Sequence, residues 1–395
     1  MPQPPRRRSW VLGLVTAALL GTAACVPPGP QQASPQPWVS GSPAAERSAT
    51  TAAVRRMLSA VVATHVAPGV VVVLRRGVRV QVLTAGVADV ATGAAMTSDR
   101  RFHAASLTKP VVAATVMRLV QHGDLFLDDT VEEWLPGLLP AGDRITVAEL
   151  LSHTSGLAEY NRVPAAWPVL ERHPVDQHAL VVAAGRAPPT FGPGQGQSYS
   201  NTNYAVLGML VERVTGRSLA TVLDRQVFGP LGMRSASLRR DRVDDPPVAH
   251  GYAFGADATD WDLTWGWAAG GLVTDAPDVD RFFHALFTGR LLDPGLVNEM
   301  ARPRAGWMGQ WSGYGLGLAR LPTRCGPVVG HTGDVPGYVS AAYTRRDADV
   351  SVVLMASTDR DLRAGPLHDV LETALCGVDG PGRGVSDSHS RATEQ

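Results

Sequence analysis

The sequence predicts a mixed α/β protein: one antiparallel sheet built from both ends of the chain, flanked by helices, with an all-helical lobe inserted between. Three observations predict it. β-rich runs lie at residues 70–83 and again beyond 266. The stretch from about 111 to 260 reads as helices broken by Pro/Gly loops. Helical periodicity also brackets the strands at both extremes, at 46–65 and near 363–375.

Taken in order, residues 1–25 read as an export signal. Arg6-Arg7-Arg8 precede an apolar run from Trp10 to Leu20 that is too short to span a bilayer, and small residues follow up to Cys25. Two cleavage readings fit. One is ordinary removal after Thr22-Ala23-Ala24; the other is a bacterial lipobox, Ala23-Ala24-Cys25, which would leave Cys25 lipidated and the protein anchored to the membrane. The lipobox reading is preferred because it gives Cys25 a purpose. Arg7-Arg8-Ser9-Trp10-Val11 also fits a twin-arginine signal, and equally a general signal rich in arginine. Residues 26–45, rich in Pro, Gln, Ser and Gly, predict a flexible linker, and 377–395 a tail of the same character.

The folded part is then 46–376. Val54, Met57, Leu58, Val61 and Val62 form one helical stripe. Val70–Arg75 and Val78–Leu83, joined at Arg76-Gly77, read as a hairpin. Beyond Phe102 a helix opens at Pro110, where proline is tolerated. Val147–Leu151 and Tyr204–Val214 are helical. Strands are expected at 270–274, 314–320, 328–331, 338–345 and 350–357, with a helix at 277–287.

Composition narrows the function. Of 395 residues, 36 are basic and 36 acidic, so the electrostatic footprint of a nucleic-acid binder is missing. With 45% apolar and 18% charged residues, the chain has ample material for a core and is not a disordered protein. Among the basic residues there is a single lysine, Lys109. Cys325 and Cys376 are candidates for a disulfide in an exported protein, two buried thiols being the alternative. Closing a loop of about 51 residues would stabilise by roughly 4 kcal/mol. No C-x-x-C, H-E-x-x-H or G-x-S-x-G occurs, so neither a metal site nor an α/β-hydrolase elbow is indicated.

Three constellations carry chemistry. In Ser106-Leu107-Thr108-Lys109 the serine falls where a strand meets a helix, and the lysine lies one turn later on the same face. A serine hydroxyl needs a base within reach, and a lysine amine serves only when neutral, which desolvation and a helix N-terminus both favour. Arginine cannot take that part. Tyr199-Ser200-Asn201 offers a phenol that can relay protons and an amide that can hold a carbonyl. His331-Thr332-Gly333, closing a short strand at 327–330, presents an imidazole, a hydroxyl and bare backbone.

In this order the three motifs resemble those of the penicillin-recognising serine hydrolases, the branch of class C β-lactamases, D-alanyl-D-alanine carboxypeptidases and related esterases. Phe102-His103-Ala104-Ala105, the run Leu150–Leu157, Ala269–Thr274 and Tyr314–Leu318 resemble the family too. The resemblance implies a cleft between a sheet lobe and a helical lobe. Ser106 would be the acylated nucleophile, with Lys109 and Tyr199 sharing base and proton-shuttle duty and Asn201 binding the acyl side chain. His331, Thr332 and Gly333 would form the sheet-side wall, and the backbone N–H groups of Ser106 and Asp334 the oxyanion hole. No cofactor is implied. The implied partners are small-molecule or peptidoglycan-peptide substrates, with β-lactams as ligands, and the implied place is the cell envelope.

Class C β-lactamases usually carry K-T-G as the third motif, whereas several carboxypeptidase or esterase members resemble H-x-G there. His331 in the lysine's place holds a carboxylate less well, which favours carboxypeptidase or esterase members over an efficient β-lactamase. The leading expectation is a D-alanyl-D-alanine carboxypeptidase-like enzyme, with an esterase or weak β-lactamase next and a non-catalytic penicillin or peptidoglycan binder last. Asp334 would oppose an oxyanion unless its carboxylate points away. His153 reads as a loop-shaping histidine, His103 as packing, and Trp261, Trp265 and Trp267 as core or interlobe packing rather than an acyl pocket.

Overall fold

Val70 to Leu74 is five apolar residues without alternation, and all five are buried. Successive strand side chains point to opposite faces, so such a run requires cover on both sides. The computed structural model, which describes residues 43–171, 174–238, 248–304, 306, 308–345 and 348–378, shows that cover. Val70, Val72 and Leu74 join the core under the terminal helices Pro43–Ala63 and Pro366–Cys376, whereas Val71 and Val73 join the larger core that runs into the helical lobe. On the last strand Val352 and Leu354 go one way, Val353 and Met355 the other.

Among the described residues the main sheet has eight strands in the order Ala94–Ala95, Arg79–Asp89, Gly69–Arg76, Val350–Ala356, Tyr338–Arg345, Val328–Val335, Ala319–Leu321 and Gly313–Tyr314. Val73 pairs with Val353, so the first hairpin lies against the final strand and the sheet is built from both chain ends. The hairpin turns on Gly77-Val78, with Gly77 at φ +57°. Arg75 makes a bidentate, nearly buried ion pair with Asp280 of the Ala276–Phe287 helix, tying the sheet to the layer above it. Cys325 and Cys376 are disulfide-bonded, with Cα atoms 5.4 Å apart, joining the loop before Val328 to the end of the closing helix.

Several elements differ from the sequence expectation. The strand expected at 314–320 is two short strands. Between them, a Cβ on Gly315 would lie 2.1 Å from the Met300 carbonyl, and Gly317 takes φ +81° with its backbone against Ala113. The strand expected at 270–274 begins only at Leu272, because Trp267–Gly270 forms a helical turn. His331-Thr332-Gly333 does not close a strand ending at 330. It lies inside one that continues to Val335, paired along its length with Tyr338–Arg345. The signal, the linker with Cys25, and the tail beyond Val378 lie outside the described residues.

Candidate active site

Phe102–His103 pairs with Leu272–Thr274 in a second, three-stranded sheet, and the chain then enters a helical turn, Ala105–Leu107, that leads into the Thr108–His122 helix. Ala105 sits at φ +51°, a left-handed conformation unfavourable for a residue with a Cβ. Thr108 holds it there: its hydroxyl donates to the Ala105 carbonyl (2.7 Å) and accepts from the Leu272 N–H (3.0 Å). The result is Ser106 on a braced corner, half-buried.

Lys109 is fully buried, with Nζ 3.0 Å from Ser106 Oγ, 2.7 Å from Asn201 Oδ1 and 2.8 Å from the Ala269 carbonyl oxygen. Burial brings its pKa down from 10.5 to about 7, against the opposing pull of Glu159. A neutral amine has two hydrogens and one lone pair. Two acceptors and one hydroxyl match that inventory, so the Ser106 O–H can donate to the lone pair.

Tyr199, in the segment before the Asn201–Thr215 helix, places its OH 2.9 Å from Ser106 Oγ. Burial raises the phenol well above 10, an effect only partly offset by the bond to Ser106. It is therefore a protonated donor in the resting site. The environments separate the two roles that the sequence left shared: Lys109 suits the base, Tyr199 the proton donor.

Asn201 sits between Lys109 and Glu159. Its Oδ1 meets Lys109, while its backbone N–H and Nδ2 donate to Glu159 at 2.6 and 3.3 Å. One amide hydrogen remains for a substrate carbonyl. Sequence reasoning missed Glu159, which follows the Leu150–Leu157 run and carries no motif of its own.

His331 occupies a different position from the wall expected of it. It is wholly buried. Its Nδ1–H donates to the Thr332 carbonyl, and its Nε2 accepts from the Tyr314 OH at 3.0 Å. Desolvation first, and Lys109 second, lower its pKa to about 3, so it is neutral and has no free donor for a substrate carboxylate. Its ring packs behind Tyr199 and Trp311, at 6.2 and 5.0 Å between centroids. Thr332 is half-buried and its hydroxyl oxygen accepts from Gln310 Nε2 at 3.2 Å, which leaves its own hydrogen free to donate.

Strand alternation puts Asp334 on the same side as Thr332 and opposite His331 and Gly333. Desolvation and the carboxylates of Asp361 and Asp359 raise its pKa, partly offset by Arg363. The carboxyl is exposed and shares its face of the strand with the Thr332 hydroxyl. Gly333 lies against the nucleophile's turn: a Cβ there would be 2.3 Å from the Ala104 carbonyl oxygen and 3.0 Å from Ala105 Cβ. Beyond Gly330 the strand has no ladder partner on its Ala319–Leu321 side among the described residues.

Trp267 is buried against Gly208, Trp265 lies edge-on to Tyr160, and Trp261 is exposed and stacked on Phe254, so the three do not form one acyl pocket. His103 packs against Tyr338.

A serine braced at a strand-to-helix corner, with a buried lysine and a phenol on its hydroxyl, has the parts that nucleophilic acyl transfer needs. Residues 54–375 match the Beta-lactamase family, and the chain belongs to it. It is similar to "Esterase EstB" of Burkholderia gladioli, 30% identical over 356 residues covering 78% of this chain and 90% of that one. Among solved structures it resembles a D-stereospecific amidohydrolase from Streptomyces sp. (TM-score 0.74, 32% identity, 82% of this chain and 98% of that chain). It also resembles a D-amino acid amidase from Ochrobactrum anthropi SV3 in complex with D-phenylalanine (TM-score 0.75, 27% identity, 82% and 98%).

Proposed function

We propose that the protein is an exported serine hydrolase that cleaves small amides or esters through an acyl-enzyme on Ser106. The observation that carries this is Ser106 Oγ, 3.0 Å from an amine whose pKa is near 7 and 2.9 Å from a protonated phenol. In the first step Ser106 Oγ bonds to the substrate carbonyl carbon as its proton passes to Lys109, and the carbonyl π pair moves onto oxygen. The backbone N–H groups of Ser106 and Asp334 receive that oxyanion. When it collapses, the leaving nitrogen or oxygen takes a proton from Tyr199, and Lys109 restores the phenol. Water then repeats the sequence in reverse and releases the acid.

Glu159 bears on the substrate. A carboxylate bonded to Asn201 and adjacent to the base favours an acyl group with an ammonium near the scissile carbonyl, as in an aminoacyl amide or ester. An amino acid amide is the chemistry in the name of one structural neighbour, the D-amino acid amidase. A D-alanyl-D-alanine carboxypeptidase must instead hold the carboxylate of the leaving residue. His331 has no donor to give it, and the Thr332 hydroxyl is the feature that favours this second reading. Export, with or without lipid on Cys25, is supported by the signal-like N-terminus and by the disulfide, which suits an oxidising compartment.

The test incubates the protein with D-phenylalanine amide, p-nitrophenyl acetate, a D-alanyl-D-alanine peptide and a penicillin, following product and intact mass together. Amide and ester turnover through a mass adduct on Ser106 is expected, with the carboxy-terminal peptide cleaved more slowly. Full activity in Ser106→Ala would refute the mechanism. Faster cleavage of the D-alanyl-D-alanine peptide would favour the carboxypeptidase reading.

A further inference from the structure

His153 ends the short Val147–Ser152 helix in a left-handed conformation (φ +60°) and is wholly buried. It meets the Tyr199 segment in three ways. Its carbonyl oxygen accepts from the Ser198 N–H at 3.0 Å, and its ring Nδ1 accepts from the Ser200 N–H at 3.2 Å. Its imidazole lies against the Tyr199 ring, 4.3 Å between centroids and tilted by 34°. The residues on either side of the phenol are thus bonded to one histidine, and the phenol rests on that histidine's ring.

The hydrogen bonds also settle the tautomer. Nδ1 receives Ser200 N–H and lies 3.1 Å from Asn203 Nδ2, so the ring proton is on Nε2. That nitrogen is buried and has no hydrogen-bond partner among the described residues, a condition that costs stability. An apolar ring would avoid this cost but would leave Ser200 N–H without its acceptor. Charging the imidazole is disfavoured by burial first, then by Lys109 and His331, so it stays a neutral acceptor. The other ionisable neighbours packed on it, Tyr199, Tyr204 and Tyr314, are phenols that burial keeps protonated.

We propose that His153 is a positioning residue for the reaction, clamping Ser198 and Ser200 so that the Tyr199 hydroxyl is held on Ser106 Oγ. It touches neither Ser106 nor substrate and acts through Tyr199 alone. The inference rests on the reading, given above, that Tyr199 moves a proton.

The test is a double-mutant cycle on the single-turnover acylation rate with p-nitrophenyl acetate. His153→Phe keeps a ring and removes the acceptor. His153→Asn keeps an acceptor and tolerates the left-handed backbone, so it serves if the phenylalanine variant does not fold. Misplacing the phenol by a fraction of an ångström should slow acylation roughly 10- to 100-fold in His153→Phe, and less in His153→Asn, with KM little changed. In a Tyr199→Phe background the same His153 substitution should slow it by less than about twofold further, because the group it aims is gone. Multiplicative losses would overturn the proposal, as would an unchanged rate in the single variants. A wild-type rate in Tyr199→Phe would instead overturn the proton-transfer reading, and this inference with it.

Discussion

Lys109→Arg is the substitution with the most decisive outcome. It keeps the positive charge and replaces a base that can lose its proton by one that cannot. Burial moves the lysine from 10.5 to about 7. At pH 7 about half the molecules then hold the neutral amine, whereas an unperturbed lysine would be neutral in only about one molecule in 3,000. The fold therefore raises the population of the active base about a thousandfold, and losing a titratable base should slow acylation by at least ~10³. The wild-type pH profile has a matching shape. Below about pH 7, kcat/KM should fall tenfold per pH unit as Lys109 is protonated, with a plateau above. His331, at about 3, and His153, held well below 6.5, do not contribute to that limb, and the buried tyrosines titrate far above it. The measurement is burst-phase acylation by p-nitrophenyl acetate between pH 5 and 9, alongside circular dichroism to show that the variant is folded. Acylation within tenfold of wild type in Lys109→Arg, or a flat wild-type profile through pH 6–8, would refute the assignment of the base.

Other outcomes follow from the same geometry. Gly333→Ala introduces a Cβ 2.3 Å from the Ala104 carbonyl, so acylation should drop by ~10² or more, for a stability loss of about 1–3 kcal/mol seen in urea unfolding. Asp280→Ala strands the Arg75 guanidinium at a nearly buried site and should cost about 3–5 kcal/mol in the same assay without altering KM. Replacing Cys325 and Cys376 by serine opens a loop of 51 residues and should lower stability by ~4 kcal/mol, with little effect on activity under conditions where the protein remains folded. Lys109 also links stability to pH. Between its folded value near 7 and its unfolded value near 10.5, the unfolded chain carries the extra proton, so this group makes stability rise with pH across that window. Wild type compared with Lys109→Met in urea at pH 7 and pH 9.5 isolates the contribution.

Local pattern was a good guide where the physics is local. The Tyr338–Arg345 strand and the Ala276–Phe287 helix lie where periodicity put them, within a residue. The guide failed where a neighbour decided the backbone. Gly315 and Gly317 break the 314–320 strand because Met300 and Ala113 approach them. The strand carrying His331 extends to Val335 because Tyr338–Arg345 offers partners along its whole length. Glu159 escaped for a related reason, and His153 was read only as a loop-shaping residue. A carboxylate behind an asparagine and a histidine behind a tyrosine become meaningful only once chain segments some 40 residues apart meet.

By itself the sequence determined the alternation of β-rich ends and a helical middle, and it singled out Ser106, Lys109 and Tyr199 as candidates by their order along the chain. It also placed the single lysine three residues after a serine, a spacing that any helix converts into a contact. Tertiary structure alone decided the protonation states. Whether an amine is a base, an imidazole a neutral acceptor or a phenol a donor depends on solvent exclusion and on charges brought from distant segments. Lys109 titrates near 7 because other parts of the fold bury it, and His331 is withdrawn from the substrate because Tyr314 and its own strand occupy both its nitrogens.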